Sequence, residues 1–195
     1  MNLKRHFGDS YDIVKRSLLQ WLSPFGPWSA HPMFTHEVTA EEAAAFSRLL
    51  GVPVVSTETL LPHSDRRKYL AACEGHRSVF LDPDTGVRLH RREPRRSTEF
   101  VFAGELVDLT TVCANGLVLV FEQSVARGSE RKHVQAKLDH FADQGVAGFA
   151  YISQASFLVL GKSSGLVQEA QGHLLAASDL PEARFASNKL TNIGL

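Results

Sequence analysis

Cysteine is scarce in this chain of 195 residues, and so is net charge. The two cysteines, Cys73 and Cys113, lie in the apolar settings Leu-Ala-Ala-Cys and Thr-Val-Cys-Ala with no metal-type spacing between them. That pattern excludes a disulfide framework and reads as two reduced core thiols. Lysine plus arginine equals aspartate plus glutamate at 21 each, so overall charge draws in no nucleic acid, membrane surface or acidic partner, and any such attraction has to be local. No apolar run reaches the roughly 18 residues of a membrane span, and Met1-Asn2-Leu3-Lys4-Arg5-His6-Phe7 lacks the apolar segment of a signal peptide. The expectation is a cytoplasmic protein that meets no membrane.

Several motifs are missing as well. The nine histidines form no His-x-x-x-His pattern; His31 and His36 are separated by a loop, and His133 and His140 share one predicted helix. Ser124 and Ser153 end predicted strands without the Gly-x-Ser-x-Gly elbow of an acyl-transfer serine. There is no internal repeat.

What is present alternates between helix and strand. Tyr11, Val14, Leu18, Trp21 and Leu22 recur at helical spacing, with Asp9 or Ser10 as the cap, before the Ser23-Pro24-Phe25-Gly26-Pro27 loop breaks the pattern. A short strand is expected over 28–34. Thr39 and Glu42 form a capping box for a helix ending at Gly51, and 52–56 reads as another strand. A helix over 64–73 starts with Arg66, Arg67 and Lys68, against the helix dipole, as on a solvated face. Ser78-Val79-Phe80-Leu81 and Leu117-Val118-Leu119-Val120-Phe121 read as strands buried on both faces. Residues 100–102 read as strand-like and those from 105 as helical. A helix over 130–144 carries Val134, Lys137, Leu138, Phe141 and Ala142 as its core stripe; two apolar runs over 147–153 and 156–160 form an antiparallel pair, and a last helix covers 165–178.

This order predicts a single α/β domain over 1–195: a Rossmann-like three-layer sandwich with a mostly parallel sheet and an antiparallel strand pair closing its C-terminal end. Residues 1–27 supply the N-terminal helix and proline-rich loop, and 179–195 a loosely held tail. In such sheets ligands sit beyond the carboxyl ends of the strands. The polar strand ends are Asp82, Asp84 and Thr85 from one strand, Glu122, Gln123 and Ser124 from a second, Tyr151 and Ser153 from a third, and His31 or His36 from the first.

Asp82 and Asp84, one residue apart, with Glu122 from the neighbouring strand, make a catalytic and metal-ligand set suited to a hard cation, Mg2+ or Mn2+, and to phosphoester chemistry. The loop after them carries Arg88, Arg91, Arg92, Arg95 and Arg96 against one acid, which suits bidentate grip on the phosphates of a nucleic acid or nucleotide. Thr85, Ser124 and Tyr151 complete the substrate-binding set. Set against this, Asp82-Pro83-Asp84-Thr85-Gly86 is also a turn whose aspartates cap amides and whose glycine takes a positive dihedral, and the arginine loop has no interleaved aromatics to stack bases. Gly8-Asp9-Ser10-Tyr11-Asp12 is explained by capping, with Asp12 left over as a candidate catalytic acid.

From 78 to 162 the chain runs through a strand ending Leu81-Asp82-Pro83-Asp84, a helical link, a strand, a long helix and a strand pair. That order resembles the second half of a class I S-adenosylmethionine-dependent methyltransferase, with Asp82-Pro83 where that family carries Asp-Pro-Pro or Asn-Pro-Pro. The resemblance implies a Rossmann-like fold and S-adenosylmethionine as cofactor, with Glu58 in place of the acid that holds the ribose hydroxyls. The first half departs from it, because no Gly-x-Gly loop follows the first strand. Asp82-x-Asp84 also resembles the nucleophile motif of haloacid-dehalogenase phosphatases, with Thr85-Gly86 in reversed order. Segments at 7–12, 31–35 and 82–86 resemble a bacterial protein family, a likeness that carries no function. Three readings follow: a protein binding or acting on a phosphate-bearing partner, a degenerate methyltransferase-like interaction module, and an active methyltransferase.

Overall fold

Asp9 starts the first helix by accepting from the amides of Tyr11 and Asp12, so two of the donors that a helix N-terminus leaves unpaired are satisfied. In the computed structural model, which describes residues 7–90, 97–113, 115–124 and 128–188, this helix is α1, Ser10–Trp21. It is followed by β1 (Trp28–His31), α2 (Ala40–Leu50), α3 (Arg66–Leu70), β2 (Ser78–Leu81), β3 (Gly86–Arg88), β4 (Phe100–Phe102) and α4 (Ala103–Val112). The second half comprises β5 (Val118–Glu122), α5 (Glu130–Asp143), β6 (Ala147–Ile152), β7 (Ser156–Gly161), α6 (Ser164–Ser178) and β8 (Phe185–Ser187). The predicted capping box is present: Thr39 accepts from the Glu42 amide and Glu42 from the Thr39 amide. Among the described residues no helix is long and apolar enough to cross a membrane.

The protein is α/β, and its sheet is mixed rather than mostly parallel. Six strands run in the order β1-β2-β5-β7-β6-β8; β1, β2 and β5 pair in parallel, while β5–β7, β7–β6 and β6–β8 are antiparallel. The predicted antiparallel pair is β6 and β7, but it does not close the sheet, because β7 folds back between β5 and β6. The closing strand is β8, from the tail that the sequence marks as loosely held. Its hold is specific: Asn188 accepts from the Gly148 amide at 2.8 Å and donates to the carbonyls of Leu138 and Val146, while Arg131 donates to the Phe185 carbonyl. The segment predicted as a strand over 52–56 makes only a bridge, Val54 beside Ala30.

Strand alternation sends successive side chains to opposite faces. Phe80, Leu119 and Phe121 join a core with Leu18 of α1, Leu22 just after it, Phe46 of α2 and Leu174 of α6. Val79, Leu81, Val118 and Val120 join the other core, with Leu106 of α4, Leu138 and Phe141 of α5, and Val87 and Val101 of the small parallel sheet β3–β4. Cys73 and Cys113 are buried free thiols in that second core, and burial pushes them up to about 12 and about 11. The basic start of α3 is a solvated face at Arg67 and Lys68, as expected, but not at Arg66. Arg66 is buried, pairs with Glu105, donates to the carbonyls of Ser97 and Phe100, and lies over the Phe102 ring.

The buried Phe185 ring packs on Phe149 and Tyr151. Phe185→Ala is therefore expected to lower unfolding free energy by about 3 kcal/mol in a denaturant titration, whereas a loose tail predicts no change.

Candidate functional site

Parallel pairing sets Leu81 opposite Val120, so the next positions, Asp82 and Phe121, share the α1 side of the sheet, and Glu122 one residue later falls on the α5 side. The two acidic strand ends thus share a rim but not a pocket. Each is buried, and each is met by a lysine from the helix on its own face.

Under β2, Lys15 Nζ donates to Asp82 Oδ2 at 2.9 Å and to Asp12 Oδ1 at 3.0 Å, above the Phe121 ring. Asp12 also accepts from the Gly8 amide, which gives this acid a structural part in place of the catalytic one. Burial works against the charge on Lys15, but the two carboxylates outweigh it and hold the ammonium above its ordinary range. Burial pushes Asp82 upward as well, and Lys15 opposes that shift.

Under β5, Glu122 is fully buried with four donors on its two oxygens. Oε2 accepts from Lys137 Nζ and the Val87 amide; Oε1 accepts from the Ser124 amide and, at 2.6 Å, from Ser124 Oγ. Lys137 Nζ also donates to Ser124 Oγ at 2.8 Å. Burial moves Lys137 below the usual lysine range, with Glu122 pulling the other way. The Val87 amide arrives because β3 crosses the tip of β5 at Gly86, where φ is +133° and a Cβ would stand 2.7 Å from Glu122 Oε1. Only glycine fits both the dihedral and the approach.

The metal expectation does not hold for this arrangement. Asp82 faces a lysine, Glu122 has its lone pairs filled, and Asp84 accepts from Thr35 Oγ1 at 2.6 Å across the rim. Among the described residues no group of three or more His, Cys, Asp or Glu side chains is placed to hold a metal ion. After β1 the chain lacks the Gly-x-Gly loop that the methyltransferase resemblance calls for. Where backbone would need to approach a ligand, the chain carries the fully buried side chains of Met33 and Phe34, and Glu58 is exposed.

The rest of the predicted set divides. Thr85 and Ser124 do come together, on the α5 side. Tyr151 packs on the opposite core against Phe185, Ser153 serves the β6–β7 turn, and Gln123 donates to the Tyr11 hydroxyl. His31 is buried with Nε2 3.3 Å from the Tyr69 carbonyl; burial pushes it down to about 4. The ring nitrogens of His36 are buried without a hydrogen-bond partner among the described residues. Arg91, Arg92, Arg95 and Arg96 lie outside the described residues.

Thr85 and Ser124 line a cleft of about 310 Å³ with Val87, Arg88, Leu89, Phe100, His133 and Lys137. Arg88 stacks over the Phe100 ring at 3.8 Å and has no carboxylate partner among the described residues. The cleft therefore offers one uncompensated guanidinium, an ammonium, an imidazole and two hydroxyls, and no acid lines it. Lys137 and His133 are the members that sequence reasoning missed. Their signal was available in part, since Lys137 occupies a core-stripe position where a charge demands a buried partner. No protein-family model matches the chain, and no curated protein matches it.

Two expectations test this geometry. Lys15→Met leaves two carboxylates buried together and should cost about 3–5 kcal/mol, part of it recovered by adding Asp82→Asn. Because the folded value of Lys15 is raised, its stabilisation is complete below 10.5 and is lost as pH rises through the folded value; the variant should lack that alkaline limb. His31, lowered from 6.5 to about 4, gives stability present above pH 6.5 and lost as pH falls toward 4. Chemical denaturation across that window should show a loss of roughly 3 kcal/mol that disappears in His31→Gln.

Proposed function

We propose that the protein is a Rossmann-like three-layer α/β domain that binds, or acts on, a phosphate-bearing partner at the carboxyl edge of its sheet. The observation that carries this is the cleft above Glu122. Arg88 and Lys137 supply cationic donors, Thr85 and Ser124 supply hydroxyls, and the neighbouring acid is sealed underneath and neutralised by Lys137. Guanidinium and ammonium donors near hydroxyls match phosphate oxygens, and no carboxylate lines the cleft itself, Glu99 and Glu122 meeting it only through the Thr85 and Ser124 hydroxyls. In this reading Asp82 and Glu122 do not touch the ligand; they fix the lysines and the turn that shape the edge.

The element order from β2 to β7 supports a second reading, a methyltransferase-like fold kept as an interaction module. It is favoured over an active methyltransferase by the buried Met33 and Phe34 after β1. The readings part on ligand binding.

Calorimetric titration with inorganic phosphate and with a nucleoside triphosphate should give saturable heat that weakens with salt. Arg88→Ala should lower affinity about 10-fold, the loss of one charge-assisted contact. No heat with either ligand, or affinity indifferent to Arg88, removes the phosphate reading and leaves the interaction module.

A further inference from the structure

Ser124 differs from the groups behind it in one respect: it is exposed, while Glu122 and Lys137 are buried. Its hydroxyl is held from both sides. Oγ donates to Glu122 Oε1 at 2.6 Å, much closer than the alternative acceptor, the Val87 carbonyl at 3.3 Å, and an Oγ lone pair accepts from Lys137 Nζ at 2.8 Å. The carboxylate is itself oriented by Lys137, the Val87 amide and the Ser124 amide. A hydroxyl within reach of a base, with the base fixed by third groups, is the arrangement that activates a serine nucleophile. Here it opens into a cleft that already carries Arg88 and His133.

Resting on the phosphate reading of this cleft, we infer that Ser124 is a phosphoryl-accepting nucleophile, with Glu122 as its base and Lys137 and Arg88 as the cations that offset charge on the phosphoryl oxygens. The substrate class is a small acyl phosphate or phosphoanhydride, whose phosphoryl end fits a space of about 310 Å³. In the step, Ser124 Oγ forms a bond to phosphorus as the bond from phosphorus to the leaving oxygen breaks. The Oγ proton passes to Glu122 Oε1. The bonding pair departs with the leaving oxygen as a carboxylate or phosphate anion, which needs no proton. The product is phosphoserine at 124 over a neutral Glu122, with Lys137 free to pair with the new phosphate. The lowering of Lys137 by burial fits this role, because a desolvated cation interacts more strongly with a developing anion than a hydrated one.

The test incubates the full chain with acetyl phosphate and follows intact mass and peptide maps, alongside calorimetry with inorganic phosphate. The expected result is a single phosphoryl group on Ser124, none in Ser124→Ala, and labelling slowed about 100-fold in Glu122→Gln, assayed at a temperature below the lowered unfolding transition of that variant. Ser124→Thr, which keeps a hydroxyl on the same backbone, should restore part of the labelling. If inorganic phosphate binds but Ser124 stays unmodified, or if label spreads over several residues at a rate indifferent to Glu122→Gln, the nucleophile is overturned while the phosphate site stands. If phosphate does not bind and nothing is labelled, both fall.

Discussion

Leu81 and Val120 stand side by side in the parallel ladder, and from that register the rest of the edge follows. Side chains alternate, so the residue after Leu81 and the second residue after Val120 leave the sheet on opposite faces. Both are acids, both are buried, and a buried carboxylate without a partner costs several kcal/mol. The fold answers each with a lysine from the covering helix, Lys15 of α1 for Asp82 and Lys137 of α5 for Glu122. These pairs tie helices to strand ends in one rotation and one register. Replacing either helix contact by an apolar one would leave a charge stranded.

The helices and the two buried strands were legible because their signals are local. A threonine and glutamate three apart make a capping box whatever surrounds them, and a continuous apolar run such as Ser78–Leu81 is a buried strand in most contexts. The sheet's order was not, because it depends on which surfaces meet. Nothing local says that β7 inserts beside β5, since its sequence fits an edge or a centre equally well. The three-residue strands β3 and β8 lack the length to declare themselves, and each is held by partners distant in the chain, Glu122 for β3, and for β8 Arg131 and the Leu138, Val146 and Gly148 backbone that Asn188 reaches. Arg66 reads as a misplaced surface charge only until Glu105 and two carbonyls reach it.

For the site, the sequence drew attention to acids at two strand ends, and the structure sets each of them against a lysine. Acids at strand ends are conspicuous, and their spacing suggested a shared cation. The contrary signal lay in the helices. Lys15 falls between Tyr11 and Leu18 on the apolar face of α1, and Lys137 stands beside Leu138 and Phe141, so both lysines occupy positions where only a paired charge is tolerated. Two lysines in two apolar stripes and two acids at two buried strand ends imply mutual neutralisation, and neutralised acids are poor metal ligands.

The sign of what the cleft can hold follows from that neutralisation. With Glu122 closed off beneath it, the described lining contains cations, hydroxyls and apolar surface but no acid. Lys137 alone would give little field, since its charge is matched by Glu122 at once. Arg88 tips the balance, because an aromatic face supports its guanidinium without cancelling its charge. A cationic ligand would meet Arg88 with nothing to offset it, and a neutral one would leave the guanidinium and the hydroxyls to water. An anion with several oxygens satisfies Arg88 directly, and it engages Thr85 and Ser124 by taking over the protons that they give to Glu99 and Glu122.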